Sequence, residues 1–270
     1  PLDKLGGIYN AFTSEEYTGY FAKVAAPHTE IALDWVSDIF LNSTLPEKEI
    51  EKEKGVIIEE INMLYDHPIS YIQILWPKIL YGDQPAGWSV AGQKETVSKL
   101  SRQKMIDYLR KQYVASNTII CLAGKINPTL TLEKVKKYFS KIKITKPSKK
   151  PKVVEKQTKP NLLLEERKTD QTHLSLGVRG YNLYQPQKYT QELLAVILGG
   201  MMSSRLFNEI RTKLGIAYYI QTSASADNDT GFLVTQAGVD NKNVEKVILV
   251  ILREYKKISQ KKVPAKELKK

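Results

Sequence analysis

Cysteine is almost missing from this chain. Cys121 is the only one in 270 residues, so no internal disulfide framework can hold the fold. It lies in the apolar run Thr118-Ile-Ile-Cys-Leu-Ala123 and is expected to be a buried core-strand residue. Histidine is scarce too: His28, His67 and His173 are scattered and support no Ser–His–Asp arrangement. The glycines form neither G-x-x-x-x-G-K-S/T nor G-x-G-x-x-G, so Gly199-Gly200 with Ser203-Ser204 reads as a tight interhelical turn, not a phosphate cradle. No apolar run reaches the roughly 20 residues that cross a bilayer, and no membrane partner is expected. Acidic residues are outnumbered, 29 against 41 Lys and Arg, giving a net charge of +12. The lysines gather in two runs, Lys141 to Lys159 and Lys256 to Lys270, that read as a linker and a solvated chain end. With no aromatic-interleaved basic motif and no zinc-finger spacing, nucleic acid is not an expected partner.

The chain does have enough apolar residues, 42%, to fill a core. Strands are predicted at Ile8–Phe12 and Tyr17–Val24. A helix follows, with Trp35, Val36, Ile39 and Phe40 on its apolar face. Pro46 opens a charged helix, and another covers about Ile69 to Tyr81. Gly82 to Gly87 is a turn-rich loop. Arg102–Tyr113 reads as helix, Thr118–Ala123 as strand and Leu130–Ile142 as helix. Periodicity vanishes between Thr145 and Pro160, where prolines alternate with lysines as in an extended linker. Strands are then predicted at Leu162–Glu166, His173–Val178, Ala217–Ser223 and Phe232–Ala237. Helices are predicted at Tyr189–Leu198, Arg205–Lys213 (capped by Gly215) and Val244–Ile258. The order strand, turn, strand, long helix occurs at 8–42 and again at 217–258. The fold class is α+β, with similar domains at 1–145 and 161–270 joined by a linker at 146–160.

The charged helix holds the most pointed signal. In Glu51-Lys-Glu-Lys-Gly-Val-Ile-Ile-Glu-Glu-Ile61, Glu53 and Glu60 are seven residues apart, close to two turns, and so share a face. That face is predicted to hold Val56, Ile57, Ile61 and Leu64 as well. A carboxylate on a buried face is costly unless it is paired or binds a metal. The plainer reading makes the two glutamates partners for Lys52 and Lys54.

Several motifs together resemble the pitrilysin/insulinase metallopeptidases, which include the mitochondrial processing peptidases and smaller bacterial two-domain members. They are Gly7-Ile-Tyr-Asn-Ala-Phe-Thr-Ser14, Glu51–Ile61, Tyr81-Gly-Asp-Gln-Pro85 with Gly87, Gly199–Phe207 and Arg211–Tyr218. The resemblance runs in order along nearly the whole chain. It implies two tandem α/β-sandwich-like domains forming half a clamshell, and hydrolysis of unstructured peptides in a closed chamber. It also implies one zinc ion, held by two histidines of H-x-x-E-H and a distal glutamate. Glu60 matches that distal ligand, and Glu53 matches the second glutamate beside the site. Asn10, Ala11, Phe12 and Thr13 match the strand that receives the peptide by edge pairing, with Phe12 also reaching the core. Arg211 and Tyr218 match a pair that contacts the scissile carbonyl and the oxyanion.

None of the three histidines forms H-x-x-E-H. In the family that motif precedes the Asn-Ala-Phe-Thr strand, so here it would lie upstream of Pro1. One glutamate does not complete a three-ligand zinc site, and these residues alone are expected to be inactive. His67, seven residues beyond Glu60, reads as a capping or surface residue. The resemblance further implies a homodimer, or a heterodimer with a related subunit; a cytoplasmic location is expected. Two readings compete: a zinc metalloendopeptidase, and a non-catalytic peptide-binding or assembly subunit.

Overall fold

The computed structural model describes residues 2–269; Pro1 and Lys270, the outer ends of the two expected domains, lie outside them. In chain order the elements are β1 (Ile8–Thr13), β2 (Thr18–Lys23), α1 (Thr29–Leu41), α2 (Glu47–Asp66), α3 (Pro68–Tyr81), α4 (Lys94–Ser98), α5 (Arg102–Gln112) and α6 (Pro128–Tyr138). They continue with β3 (Gln171–Arg179), α7 (Gln187–Ala195), β4 (Ala217–Ala226), β5 (Gly231–Asp240), α8 (Val244–Gln260) and α9 (Ala265–Leu268). Val196–Gly200 and Phe207–Lys213 are wound as π-helix. The class is α+β, with small antiparallel sheets and helices. A hairpin, a 3₁₀ turn and a long helix occur as β1–β2–α1 and recur as β4–β5–α8.

The chain forms two compact units: Pro1–Ile61 with Val90–Pro151, and Asn62–Ser89 with Lys152–Lys270. The division falls inside α2.

In the first unit, β1 pairs antiparallel with β2, Ile8 opposite Lys23 and Thr13 opposite Thr18. Aromatic rings do much of the packing. Phe40 of α1 lies 5.0 Å from Tyr113 and 6.1 Å from Phe139, and Tyr9 of β1 lies 5.0 Å from Trp35. Such ring pairs add about 0.5–1.5 kcal/mol beyond the area they bury. The hydroxyls of Tyr20 and Tyr113 are 2.9 Å apart, linking β2 to the end of α5. Lys134 of α6 reaches Glu30 of α1 at 2.7 Å.

In the second unit the strand order is β3-β5-β4, with β5 in the middle. A central strand is covered on both faces, which explains why Gly231–Asp240 is apolar almost throughout. Leu233, Ala237 and Val239 pack with Ala195, Leu198, Ile210, Val247 and Ile251 from the helices on one side. Val234 and Phe232 meet Trp76, Leu80 and Tyr81 of α3 on the other. The period of two along the strand sorts the two sets. Two buried threonine hydroxyls of the sheet are paired: Thr222 and Thr235 lie 2.8 Å apart, and Thr235 lies 2.8 Å from Tyr255.

Two expected strands are not formed. Thr118–Ala123 and Leu162–Glu166 have strand sequences but no ladder partner among the described residues. Strand composition favours an extended backbone; a strand needs a second chain segment to take its N–H and C=O groups. Cys121 is therefore exposed, against the expectation of a buried residue. Phe12 is also 46% exposed rather than in the core, its ring set against Tyr17 at 5.8 Å.

Gly199 is not in a tight turn. It closes the helix after α7 directly against β4, where a Cβ would sit 2.3 Å from Thr222 Oγ1 and 2.7 Å from Thr222 N. A Cβ on Gly200 would meet nothing nearer than 3.4 Å. Gly199→Ala is expected to cost about 1–3 kcal/mol through overpacking, and Gly200→Ala to be neutral or stabilising by up to about 1 kcal/mol. Urea unfolding of the two variants checks this; equal midpoints would remove the close-packing argument.

Gly215 has φ 63°, the left-handed cap expected from the sequence.

Candidate active-site residues

α2 begins at Glu47, one residue after Pro46, whose carbonyl accepts from the N–H groups of Glu49 and Ile50. Its packed line runs through Ile50, the only buried residue of the helix, with Ile57 and Ile61 half-buried. At about 100° per residue, Glu53 and Glu60 stand some 60–80° to one side of that line. Both are exposed. Val56, expected on their face, is 49% exposed. The acids thus flank the packed stripe and are not buried in it. The lysines are committed elsewhere: Lys52 pairs with Glu49 at 2.9 Å and Lys54 with Glu51 at 2.6 Å. Among the described residues neither Glu53 nor Glu60 makes a hydrogen bond or ion pair. The lysine-pairing reading is therefore not what the structure shows.

Asn10, Ala11, Phe12 and Thr13 lie on β1, in the same unit as the two acids. All six residues of β1 are exposed. One edge of the strand is paired with β2, and the other has no partner among the described residues. An edge of this kind can accept an extended peptide.

Arg211 and Tyr218 belong to the other unit, and the fold brings them together. The ladder between β4 and β5 slips between Ala217 and Tyr219, which leaves Tyr218 as the extra residue of a β-bulge. A bulge re-aims its side chain, and Tyr218 is 59% exposed. The Arg211 guanidinium holds the bulge from below: Nη1 donates to the Ala217 carbonyl at 3.0 Å and also to that of Tyr218. Arg211 itself sits in the π-wound turn beside the buried Ile210. That winding closes through Leu214 N–H to Glu209 O at 3.1 Å.

His67 precedes α3, and its backbone carbonyl accepts from Ser70 and Tyr71. Its ring Nδ1 lies 2.8 Å from Ser70 Oγ. This is the capping position expected from the sequence.

A second polar pair was missed by the reading of the sequence. His173 on β3 and Tyr219 on β4 both stand opposite Gly238 of the central strand. Their rings stack at 5.8 Å across that glycine, with Nδ1 3.1 Å from the tyrosine hydroxyl. A Cβ at Gly238 would come within 2.5 Å of the Tyr219 ring. A glycine inside a strand pattern is the available signal for such a close approach. Burial pushes the Tyr219 hydroxyl up to about 12. Burial, reinforced by the charge of nearby His67, holds His173 below its ordinary 6.5.

The folded protein thus takes up this proton less readily than the unfolded chain. The stabilising contribution is full above about pH 6.5 and is lost as the pH falls from there toward the lower folded value. Urea midpoints are expected to drop between about pH 7.5 and about pH 5, and His173→Gln should flatten part of that drop. An unchanged slope in the variant would show that other groups carry the acid sensitivity.

Among the described residues, no three or more His, Cys, Asp and Glu side chains come together to hold a metal ion. Catalytic zinc takes three protein ligands. The donors among the described residues do not make up that set. No helix among the described residues is long and apolar enough to cross a membrane.

Two family models match the chain. Residues 1–94 match the family model described as insulinase (peptidase family M16), and residues 99–270 match the peptidase M16 inactive domain. The chain belongs to peptidase family M16. It is 33% identical over 99% of its length to an uncharacterized zinc protease of Bacillus subtilis, covering 64% of that protein. It is 31% identical over 96% of its length to an uncharacterized zinc protease of Streptomyces coelicolor, covering 58% of it. The chain thus spans about three-fifths of these relatives' length. Among solved structures, a protease from Helicobacter pylori has the same fold, with a TM-score of 0.91 at 21% identity over 99% of this chain and 66% of that one. A chain of complex III2 from Candida albicans shares it at a TM-score of 0.80 and 18% identity, over 97% of this chain and 64% of that one.

Proposed function

We propose that this chain is the greater part of a zinc metalloendopeptidase that hydrolyses unstructured peptides. Glu60 serves as one metal ligand, and Glu53 supports the ligands beside it. The observation that carries this reading is the match to peptidase family M16 and to relatives named zinc proteases; the two acids are open to a ligand but their exposure does not itself point to one. They stand on one helix within the stretch matching the insulinase family model, exposed, with the neighbouring lysines paired to other glutamates. The zinc ion, when bound, supplies Lewis-acid activation of water at neutral pH. The remaining ligands come from polypeptide outside these 270 residues, since the relatives are longer.

The chain's own residues bind and orient the substrate. The free edge of β1 at Asn10–Thr13 pairs with an extended peptide through main-chain hydrogen bonds, which tolerates many sequences. Arg211 fixes the bulge that presents Tyr218. The exposed Tyr218 hydroxyl donates to the oxygen on which negative charge develops, with Arg211 adding positive charge beside it. We further propose that the active form is a dimer, with itself or with a related subunit, in which paired chains close the chamber.

A second reading is a non-catalytic peptide-binding or assembly subunit. It is supported by the match of residues 99–270 to the family model described as the peptidase M16 inactive domain.

The deciding measurement uses the longest natural polypeptide that contains this chain. Hydrolysis of a quenched fluorescent unstructured peptide is expected, lost on chelation and restored by zinc. Peptide binding without cleavage, at any zinc level, would select the second reading.

A further inference from the structure

The bulge that presents Tyr218 is held from more than one side. Ala217 and Ile220 are both buried in the same hydrophobic cluster, although they are three residues apart. A regular strand alternates faces, so positions three apart would point in opposite directions. The extra residue of the bulge lets both reach the core and leaves Tyr218 and Tyr219 as the span between them. The Tyr218 hydroxyl has no hydrogen-bond partner among the described residues. Its direction is therefore set by the backbone that carries it, and by whatever fixes that backbone.

Arg211 fixes the span through two carbonyls, those of Ala217 and Tyr218. Tyr219 has a different anchor. Leu174 and Leu176 of β3 pack in the cluster that holds Ala217 and Ile220, whereas Gly177 lies against Trp76 of α3. His173 alternates with the two leucines and so shares the face of Gly177. Tyr219 meets it there, the rings stacked at 5.8 Å and Nδ1 3.1 Å from the hydroxyl. The strand is thus pulled from both faces, by Ala217 and Ile220 on one and by Tyr219 on the other. Gly238 makes the second pull possible, because a Cβ there would occupy the space of the Tyr219 ring.

We infer that His173 and Tyr219 are positioning residues for Tyr218: their stacked, hydrogen-bonded contact across Gly238 fixes the bulge on the face opposite to Ala217 and Ile220, and so aims the Tyr218 hydroxyl. What Tyr218 does once aimed rests on the proposed peptidase reading; what holds it rests on the sheet alone. A misplacement of about 1 Å at a reacting group costs on the order of a hundredfold in rate, so loss of one anchor among several is expected to cost about tenfold.

Two variants loosen the contact in different ways. Tyr219→Phe keeps the ring and removes the hydroxyl. Gly238→Ala leaves both polar side chains in place but sets a Cβ 2.5 Å from the Tyr219 ring. If the alanine variant fails to fold, the phenylalanine variant carries the test alone. In the longest natural polypeptide containing this chain, each is expected to lower kcat on an unstructured peptide by about tenfold with KM within about twofold, because the contact to the developing oxyanion forms only in the transition state. Made on top of Tyr218→Phe, the same change should add no further loss, since the hydroxyl being aimed is gone. A further loss of full size would show a merely structural effect and overturn the inference. The second readout needs no activity: chymotrypsin cleavage after Tyr218 in the folded protein should speed up by about fivefold or more ahead of any shift in the urea midpoint. Unchanged cleavage would overturn the inference. Faster cleavage in a protein whose wild type hydrolyses no peptide would support the brace and sink the peptidase reading instead.

Discussion

Glu60→Gln, made in the longest natural polypeptide containing this chain, is expected to lower peptide hydrolysis and zinc affinity by more than about a hundredfold. The scale follows from known metal sites. Loss of a residue that merely supports a ligand costs about 10–100-fold, and loss of a ligand should exceed that. Glutamine keeps the size of the side chain but presents a neutral oxygen in place of a carboxylate, so its attraction to a divalent cation falls. Glu53→Gln, if Glu53 only supports the ligands, should stay within the 10–100-fold range.

The fold provides the control for both variants. Glu60 is exposed and unpaired among the described residues, so its replacement should change stability by no more than about 0.5 kcal/mol. Metal content by atomic absorption, kcat/KM on an unstructured peptide and a thermal melt separate the outcomes. Retained zinc with retained rate would end the assignment of Glu60. Lost rate with a collapsed melt would show that the residue matters for folding instead.

Ile210→Ala is expected to destabilise the protein by about 2–5 kcal/mol, the usual cost of emptying a fully packed isoleucine site. Ile210 is 0% exposed and packs in the same cluster as Leu206, Ile251 and Val247. Its backbone carbonyl also accepts from Ile216 N–H at 3.2 Å, tying the π-wound turn to the chain entering β4. Arg211 is the next residue along, and its guanidinium holds the bulge that exposes Tyr218. The loss should therefore be felt first at this site. Protease nicking between Arg211 and Tyr218 should rise before the global unfolding midpoint is reached, as expected for a locally opened segment. An unfolding midpoint within the error of wild type would mean that the cluster closes over the cavity.

How much of this could be read from the sequence depends on which forces were local. The hairpin β1–β2, helix α3 after His67-Pro68 and the cap at Gly215 follow from chain-local preferences: β-branched and aromatic composition, proline's fixed φ and glycine's access to positive φ. Glu53 and Glu60 could be singled out because a seven-residue spacing places two side chains on one helical face whatever surrounds the helix. Their exposure could not be read the same way. The apolar stripe of α2 is broad enough to include Val56 in the sequence, and only packing shows that the buried line runs through Ile50, with the acids at its margin.

Thr118–Ala123 and Leu162–Glu166 show the same limit from the other side. Each has the composition of a strand, yet neither is in a ladder, because pairing is a property of two segments and composition of one. Cys121 is exposed for that reason. The stack of His173 on Tyr219 also escaped the sequence. Residues 46 apart meet only because β3 and β4 flank Gly238 in register.

The sequence by itself determined most of the helices and the paired strands, their order, the family and the two acids on one helix face, since each follows from short-range geometry or from motifs carried in single segments. Tertiary structure alone decided which strands found partners, which side of α2 is covered, and that Arg211 braces the bulge presenting Tyr218. Those outcomes depend on hydrogen bonds and close packing between segments far apart in the chain, and one-dimensional periodicity carries no information about distance across a sheet.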